Sequence, residues 1–229
     1  MPRQSPKKPA GEPPAPGAPP EALGAVLAGG ESRRMGRPKA HVLWEGHPLV
    51  VHVARLLETV VAEVIVVTKR PVELAGMGLT VVSDRMSVQT PLAGIATALH
   101  AAAGRPAVIV ACDMPRLQPR LIRRLLEAAQ GHDAAVPVRE GRLEPLHAVW
   151  CAPCLGPVTA ALDRGRLAPH EVLAKLDVAR IPEAVWRVWD PEGVSMLNVN
   201  TPEDLQASSP GGPTPPRARS RRGSARKRA

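Results

Sequence analysis

The chain has 229 residues, 44% of them hydrophobic and 22% charged, the balance of one globular domain with tails rather than of two full domains. Four tryptophans (Trp44, Trp150, Trp186, Trp189) are its whole aromatic complement, which excludes the run of stacking rings that a single-stranded nucleic-acid platform needs. The net charge of +9 belongs to the C-terminus: residues 207–229 hold seven basic residues and no acid, while residues 23–206 hold 20 basic and 19 acidic residues.

Residues 1–22 contain eight of the 27 prolines. Such a segment cannot bury enough apolar surface to order itself and is expected to be disordered. Residues 207–229, rich in Pro, Ser and Arg, lead to the same expectation, so a folded domain is predicted over 23–206. Within it, Leu23–Ala28 reads as a short strand running into a Gly-rich loop, and His47–Val60 carries Val50, Val53, Leu56, Leu57 and Val60 at helical spacing. Glu63–Thr68 is a β-branched strand and Thr80–Ser83 a shorter one. Pro91–Ala103 reads as a helix opened by proline in its first turn. Pro106–Cys112 is apolar on both faces, the mark of a central parallel strand. Gln118–Gln130 is an amphipathic helix stopped by Gly131. Strands at Ala134–Val138 and His147–Cys151 and helices at 155–163 and 169–176 complete the pattern. Alternating β and α elements predict an α/β fold, a doubly wound Rossmann-like domain with a mostly parallel central sheet, which binds ligands at the C-terminal ends of its strands.

No run of 18 apolar residues is present, so no membrane-spanning helix is expected. The N-terminus opens with Pro, Lys and Gly where a signal peptide would need an apolar stretch, so a cytoplasmic location is expected. Three cysteines (Cys112, Cys151, Cys154) are too few and too unevenly placed for a disulfide framework. Cys151 and Cys154 form a CxxC, yet they follow a strand instead of opening a helix and lack two further zinc ligands nearby, so packing roles are expected. The histidines match no hydrolase motif, and His147 is expected in the core.

The chemistry concentrates after the first strand, in LAGGESRRMGRPK (27–39). Paired glycines let backbone amides approach a ligand and form an anion-binding concavity. Arg33, Arg34, Arg37 and Lys39 then favour a polyphosphate. The loop is neither a Walker A motif nor a dinucleotide fingerprint. Lys39 is one of only three lysines in 23–206, against 17 arginines, and a compact ammonium suits a place beside transferring phosphates. At the end of the most apolar strand stands Asp113, where a carboxylate points into the ligand crevice and offers Mg²⁺ a hard oxygen. Asp84 follows the strand 80–83 on the same edge and either accepts from a base or ribose or caps a turn. Asn198 and Asn200 alternate as on one strand face and could both point at a ligand. Thr201 reads as an N-cap with Pro202 and Asp204 behind it.

Together LAGGESRRMGRPK (27–39), TPLAG (90–94), ACDMP (111–115), EPLHAVW (144–150) and NVNTPEDL (198–205) resemble the molybdenum cofactor guanylyltransferase family over about residues 23–206. The resemblance implies transfer of GMP from GTP to molybdopterin, with Mg²⁺ as cofactor and pyrophosphate released. It implies that Leu27, Ala28, Gly29 and Gly30 hold the nucleotide through the backbone, and that Lys39, with Arg34, contacts the phosphates. Asp84 and the segment with Pro91, Leu92 and Gly94 would bind the nucleotide. Asp113 would bind the nucleotide and metal, and Asn198 and Asn200 would lie near the acceptor. Molybdoenzyme maturation proteins are the implied partners. Where some relatives place an asparagine after the strand 63–68, this chain has Thr68-Lys69, which leaves one nucleotide contact unassigned.

Two other readings stay open at the level of sequence. A molybdopterin cytidylyltransferase, or another NTP-dependent transferase, would share the loop and Asp113. A non-catalytic nucleotide- or nucleic-acid-binding protein would use the basic tail, against which the nearly neutral core speaks.

Overall fold

A computed structural model describes residues 21–29, 38–84, 86, 88–201 and 204. The strands in chain order are β1 (Leu23–Leu27), β2 (Leu43–Trp44), β3 (His47–Pro48), β4 (Glu63–Thr68), β5 (Val81–Ser83), β6 (Ala107–Ala111), β7 (Ala134–Arg139), β8 (Arg142–Leu143), β9 (His147–Trp150) and β10 (Val178–Ile181). The helices are α1 (Leu49–Glu58), α2 (Pro91–Ala102), α3 (Pro119–Ala128), α4 (Leu155–Asp163), α5 (Pro169–Leu173) and α6 (Glu183–Trp186). The main sheet runs in the order β10-β7-β9-β6-β1-β4-β5, with β8 hairpinned onto β7, while β2 and β3 form a separate small ribbon.

In this order β1 lies parallel to both β4 and β6, and β5 extends the parallel half. Strand β9 runs antiparallel to β6 and β7, and β10 is parallel to β7. The sheet is therefore mixed but mostly parallel, as expected. From β1 the chain passes through α1 to β4 on one side, and from β5 through α2 to β6 on the other. The point where the winding reverses is the C-terminal end of β1, the place where such sheets bind ligands.

Side-chain alternation explains the two layers. Val26, Val108 and Val110 face α1 and α3, packing with Val50, Val53, Leu57, Leu121, Ile122 and Leu125. Leu23, Ala25, Ala107 and Ile109 face the other way, onto Leu92, Ile95 and Leu99 of α2 with α4 and α5 behind. Helix α2 is apolar almost all round because the sheet covers one side and α4 the other. Thr90 caps it and Pro91 occupies its first position. Helix α3 puts Leu121, Ile122 and Leu125 inward and Arg123 and Arg124 outward, as its periodicity predicts.

Most expected elements are present with ends moved by one or two residues, and 169–176 shortens to α5. Four features were not expected: the β2–β3 ribbon, β8, β10 and the single turn α6. Two-residue strands are too short to show a period of two. Strand β10 alternates Arg180 with half-buried Val178, Ala179 and Ile181, a weak apolar signal that suits an edge.

Candidate active site

The end of β1 is tied to both neighbours before it leaves the sheet. Cys112 donates its amide to the Leu27 carbonyl (3.1 Å), Ala28 donates to Val67 O (2.9 Å), and the Thr68 hydroxyl donates to Ala28 O (3.3 Å). The next residue, Gly29, is exposed, and a Cβ on it would meet no described atom within 4 Å. Its carbonyl is held by the Gln89 amide, 2.9 Å away, which draws the segment before α2 across the mouth of the loop. Backbone fixed as far as Ala28, followed by a glycine with no described atom close to its Cβ position, suits the approach of an anionic ligand to main-chain amides. Gly30, Arg33, Arg34 and Arg37 lie outside the described residues.

Lys39 opens a short 3-10 turn (Lys39–His41) just beyond. Its Nζ donates to Asp113 Oδ2 at 2.7 Å and to Asn200 Oδ1 at 2.6 Å. The side chains of Lys39 and Asp113 are 20% and 14% exposed, so this ion pair is only lightly screened. Asp113 sits two residues past β6, and its carbonyl accepts from Val199 N (2.8 Å). The second carboxylate oxygen, Oδ1, is buried and has no hydrogen-bond partner among the described residues. A buried, unmatched anionic oxygen costs free energy unless something supplies positive charge or a donor. One hard oxygen with no surrounding cage fits Mg²⁺ shared with substrate phosphates, and among the described residues no group of three His, Cys, Asp or Glu could hold an ion alone.

Asp84 lies on the same edge, as expected, and its carboxylate is already well occupied. Oδ1 accepts from Met86 N (3.0 Å) and the Thr97 hydroxyl (3.4 Å), while Lys69 Nζ stands 3.6 Å from Oδ2 and also donates to the Met86 carbonyl. Of the two readings of Asp84 the geometry realises the turn: Oδ1 closes an Asx turn onto Met86 N, and the side chain is 7% exposed. Of TPLAG, Pro91 is exposed, Leu92 is fully buried in the core and Gly94 is buried where a Cβ would come 3.1 Å from Leu27 Cδ1. Leu92 and Gly94 therefore seat α2 on β1. Asn198 and Asn200 are not on a strand: between them Val199 donates its amide to the Asp113 carbonyl and joins no ladder. Asn198 is exposed, and Asn200 turns its amide oxygen to Lys39. Thr201 and Asp204 form a reciprocal cap, the Thr201 hydroxyl accepting from Asp204 N (3.1 Å) and Asp204 Oδ2 from Thr201 N (2.9 Å).

Beneath this edge lies a polar network that sequence reading missed. Asp190, 2% exposed, accepts from Val194 N (3.1 Å) and Ser195 N (2.9 Å). Ser195 Oγ accepts from Gln118 N (2.9 Å) and lies 3.2 Å from His147 Nε2. His147 is buried as expected, and burial depresses its imidazole to about 4, so it is neutral at pH 7. The Asp190 carboxylate binds backbone amides and not the imidazole, so this is a structural network and not a nucleophilic triad. The signal was the Asp-Pro-Glu-Gly run at 190–193, a turn whose Gly193 has φ +67°.

The cysteine thiols are free and held protonated. Burial pushes the thiols of Cys112 and Cys154 up to about 12 and raises that of Cys151. Trp186 is buried, donates to Val138 O (2.9 Å) and is covered by Arg187, so it packs.

A family model described as the MobA-like NTP transferase domain matches residues 24–179. A probable molybdenum cofactor guanylyltransferase of Pelotomaculum thermopropionicum is 37% identical over 187 residues, covering 81% of this chain and 90% of that protein. A molybdenum cofactor guanylyltransferase of Desulfosudis oleivorans is 34% identical over 185 residues, covering 80% and 92%. Among solved structures, molybdopterin-guanine dinucleotide biosynthesis protein A from Archaeoglobus fulgidus superposes with a TM-score of 0.72 at 27% identity, covering 82% of this chain and 96% of that one. With that sheet order, that loop after β1 and those relatives, the chain belongs to the MobA-like NTP transferase family.

Proposed function

We propose that this chain is a molybdenum cofactor guanylyltransferase: it transfers GMP from GTP to molybdopterin, forming the guanine dinucleotide cofactor and releasing pyrophosphate. The observation that carries the reading is the Lys39–Asp113 pair at the switch point of the sheet, in a chain whose relatives over four fifths of its length bear that name. In the reaction a terminal phosphate oxygen of molybdopterin attacks the α-phosphorus of GTP in line. The new P–O bond forms as the bond to the β-phosphate oxygen breaks, and the electron pair leaves with pyrophosphate. No protein nucleophile is required, so positioning and charge neutralisation supply the rate.

Leu27 and Ala28, fixed by their bonds to Cys112, Val67 and Thr68, would present the Gly29-Gly30 sequence that follows to the phosphates. Lys39, with Arg34, neutralises charge developing toward the leaving group. Asp84 and Pro91 border the nucleoside, Asp84 held in place by Lys69 and Thr97. Asn198, exposed beside the cluster, is the acceptor-side candidate. Asp113 would hold Mg²⁺ through its unmatched Oδ1, and the ion would supply Lewis-acid neutralisation of triphosphate oxygens. The catalytic domain spans 23–206. Among the described residues no helix is long and apolar enough to cross a membrane.

The test is pyrophosphate release from GTP, CTP and ATP with Mg²⁺, with and without molybdopterin. Release from GTP alone, dependent on molybdopterin, is expected. Preference for CTP would transfer the reading to a cytidylyltransferase, and release without any acceptor would make the chain a hydrolase.

A further inference from the structure

The family model ends at residue 179, yet the cluster around Lys39 is completed by residue 200. The intervening chain is built as a strap. Asp190 fixes the turn at its start through the amides of Val194 and Ser195. Ser195 ties it to Gln118, the residue that precedes α3, and to His147 at the start of β9. Arg139, at the end of β7, donates to the Met196 carbonyl (2.9 Å). Val199 donates to the Asp113 carbonyl and buries its side chain with Trp44 and Leu49. Asp204 Oδ2 then accepts from the amide of Asn200 itself (2.9 Å).

Asn200 is thus immobilised on both sides, and its amide oxygen meets the Lys39 ammonium 2.6 Å away while Asp113 meets it at 2.7 Å. A lysine has a long, flexible stem and little directional preference of its own. Holding it between two fixed oxygens removes rotamer freedom before substrate arrives. We infer that Asn200 is a positioning residue: the strap 190–200 carries it to Lys39, and it sets the ammonium beside Asp113 for the phosphates. The inference rests on the reading of Lys39 as a phosphate contact, and it gives Asn200 a role through Lys39 instead of a direct grip on the acceptor.

The test is a double-mutant cycle on the full chain with Asn200→Ala, Lys39→Ala and the double variant, with Asn200→Asp as the variant that keeps an acceptor oxygen. Asn200→Ala is expected to lower kcat by about 10–100-fold with KM for molybdopterin within twofold. Adding Asn200→Ala to Lys39→Ala should cost nothing more, and Asn200→Asp should recover most of the rate. Additive losses, or a raised KM for molybdopterin at unchanged kcat, would overturn the inference in favour of direct acceptor contact. A second readout needs no turnover: acetylation of Lys39 by acetic anhydride, followed by mass spectrometry, should proceed faster in Asn200→Ala than in wild type. An unchanged rate overturns the positioning role by itself. Absence of GTP-dependent turnover in wild type would instead overturn the guanylyltransferase reading and leave that chemical comparison standing.

Discussion

His147 couples the stability of this fold to pH in a way that can be worked through. Its imidazole is 1% exposed, and burial holds it at about 4 against an unfolded value of 6.5. The unfolded chain therefore binds the proton more tightly, so the stability His147 contributes is fully present above pH 6.5 and is lost as pH falls from 6.5 toward 4. Between pH 7.5 and pH 5 that loss amounts to about 2 kcal/mol, or a fall in Tm of about 4–8 °C for a domain of this size. Other groups titrate over the same range. Glu144, raised by burial, works in the opposite direction, and Glu183, lowered by its hydrogen bond from Arg187, adds to the loss at lower pH. The comparison is therefore with His147→Gln, which removes the titration and keeps a polar group facing Ser195. Thermal unfolding followed by circular dichroism at both pH values should show a Tm drop smaller by about 4–8 °C in the variant. Equal drops in the two proteins would mean that His147 gains solvent or a partner on protonation, which would refute the argument.

Lys39→Ala should lower kcat by about 10²–10³-fold at a temperature where the variant is still folded, alongside some loss of Tm because Asp113 loses its counter-ion; an undiminished rate in the folded variant would take Lys39 out of the reaction. Gly24 faces α1 from β1, and a Cβ there would come 2.9 Å from Val61 Cγ2 and 3.0 Å from Val64 Cγ2. Gly24→Ala should destabilise by about 1–3 kcal/mol in thermal denaturation with kcat at 25 °C retained, and an unchanged Tm would show that the two valines yield. Ending the chain at Gln206 removes the seven basic residues of the tail and should leave kcat/KM as it was; a tenfold loss would give the tail a part in the reaction.

The parallel half of the sheet was legible because β1, β4 and β6 are buried on both faces and read as unbroken apolar runs. The position of Asp113 followed from its strand, since any residue just past a central strand faces the crevice. The direction of β9 carried no such signal: His-Ala-Val-Trp looks the same to a parallel and an antiparallel neighbour, and only pairing with β6 and β7 decides. Asn198 and Asn200 show why alternation misleads. The segment does alternate in burial, with Val199 1% exposed between them, but one buried residue between two more exposed ones does not require a sheet. Its partner is the Asp113 carbonyl, 86 positions away in the chain. The Asp190–Ser195–His147 network was hidden for the same reason, since its members meet only after β9, α3 and the strap have packed.

The most direct measurement is transfer of label from GTP carrying ³²P at the α-position into molybdopterin, with the product separated by chromatography and compared between wild type and Asp113→Asn. The account predicts label in a dinucleotide product for wild type, equimolar pyrophosphate, and almost none of either for the variant, with unlabelled CTP failing to compete. Label that stays in free GMP, or transfer undiminished in Asp113→Asn, would contradict it.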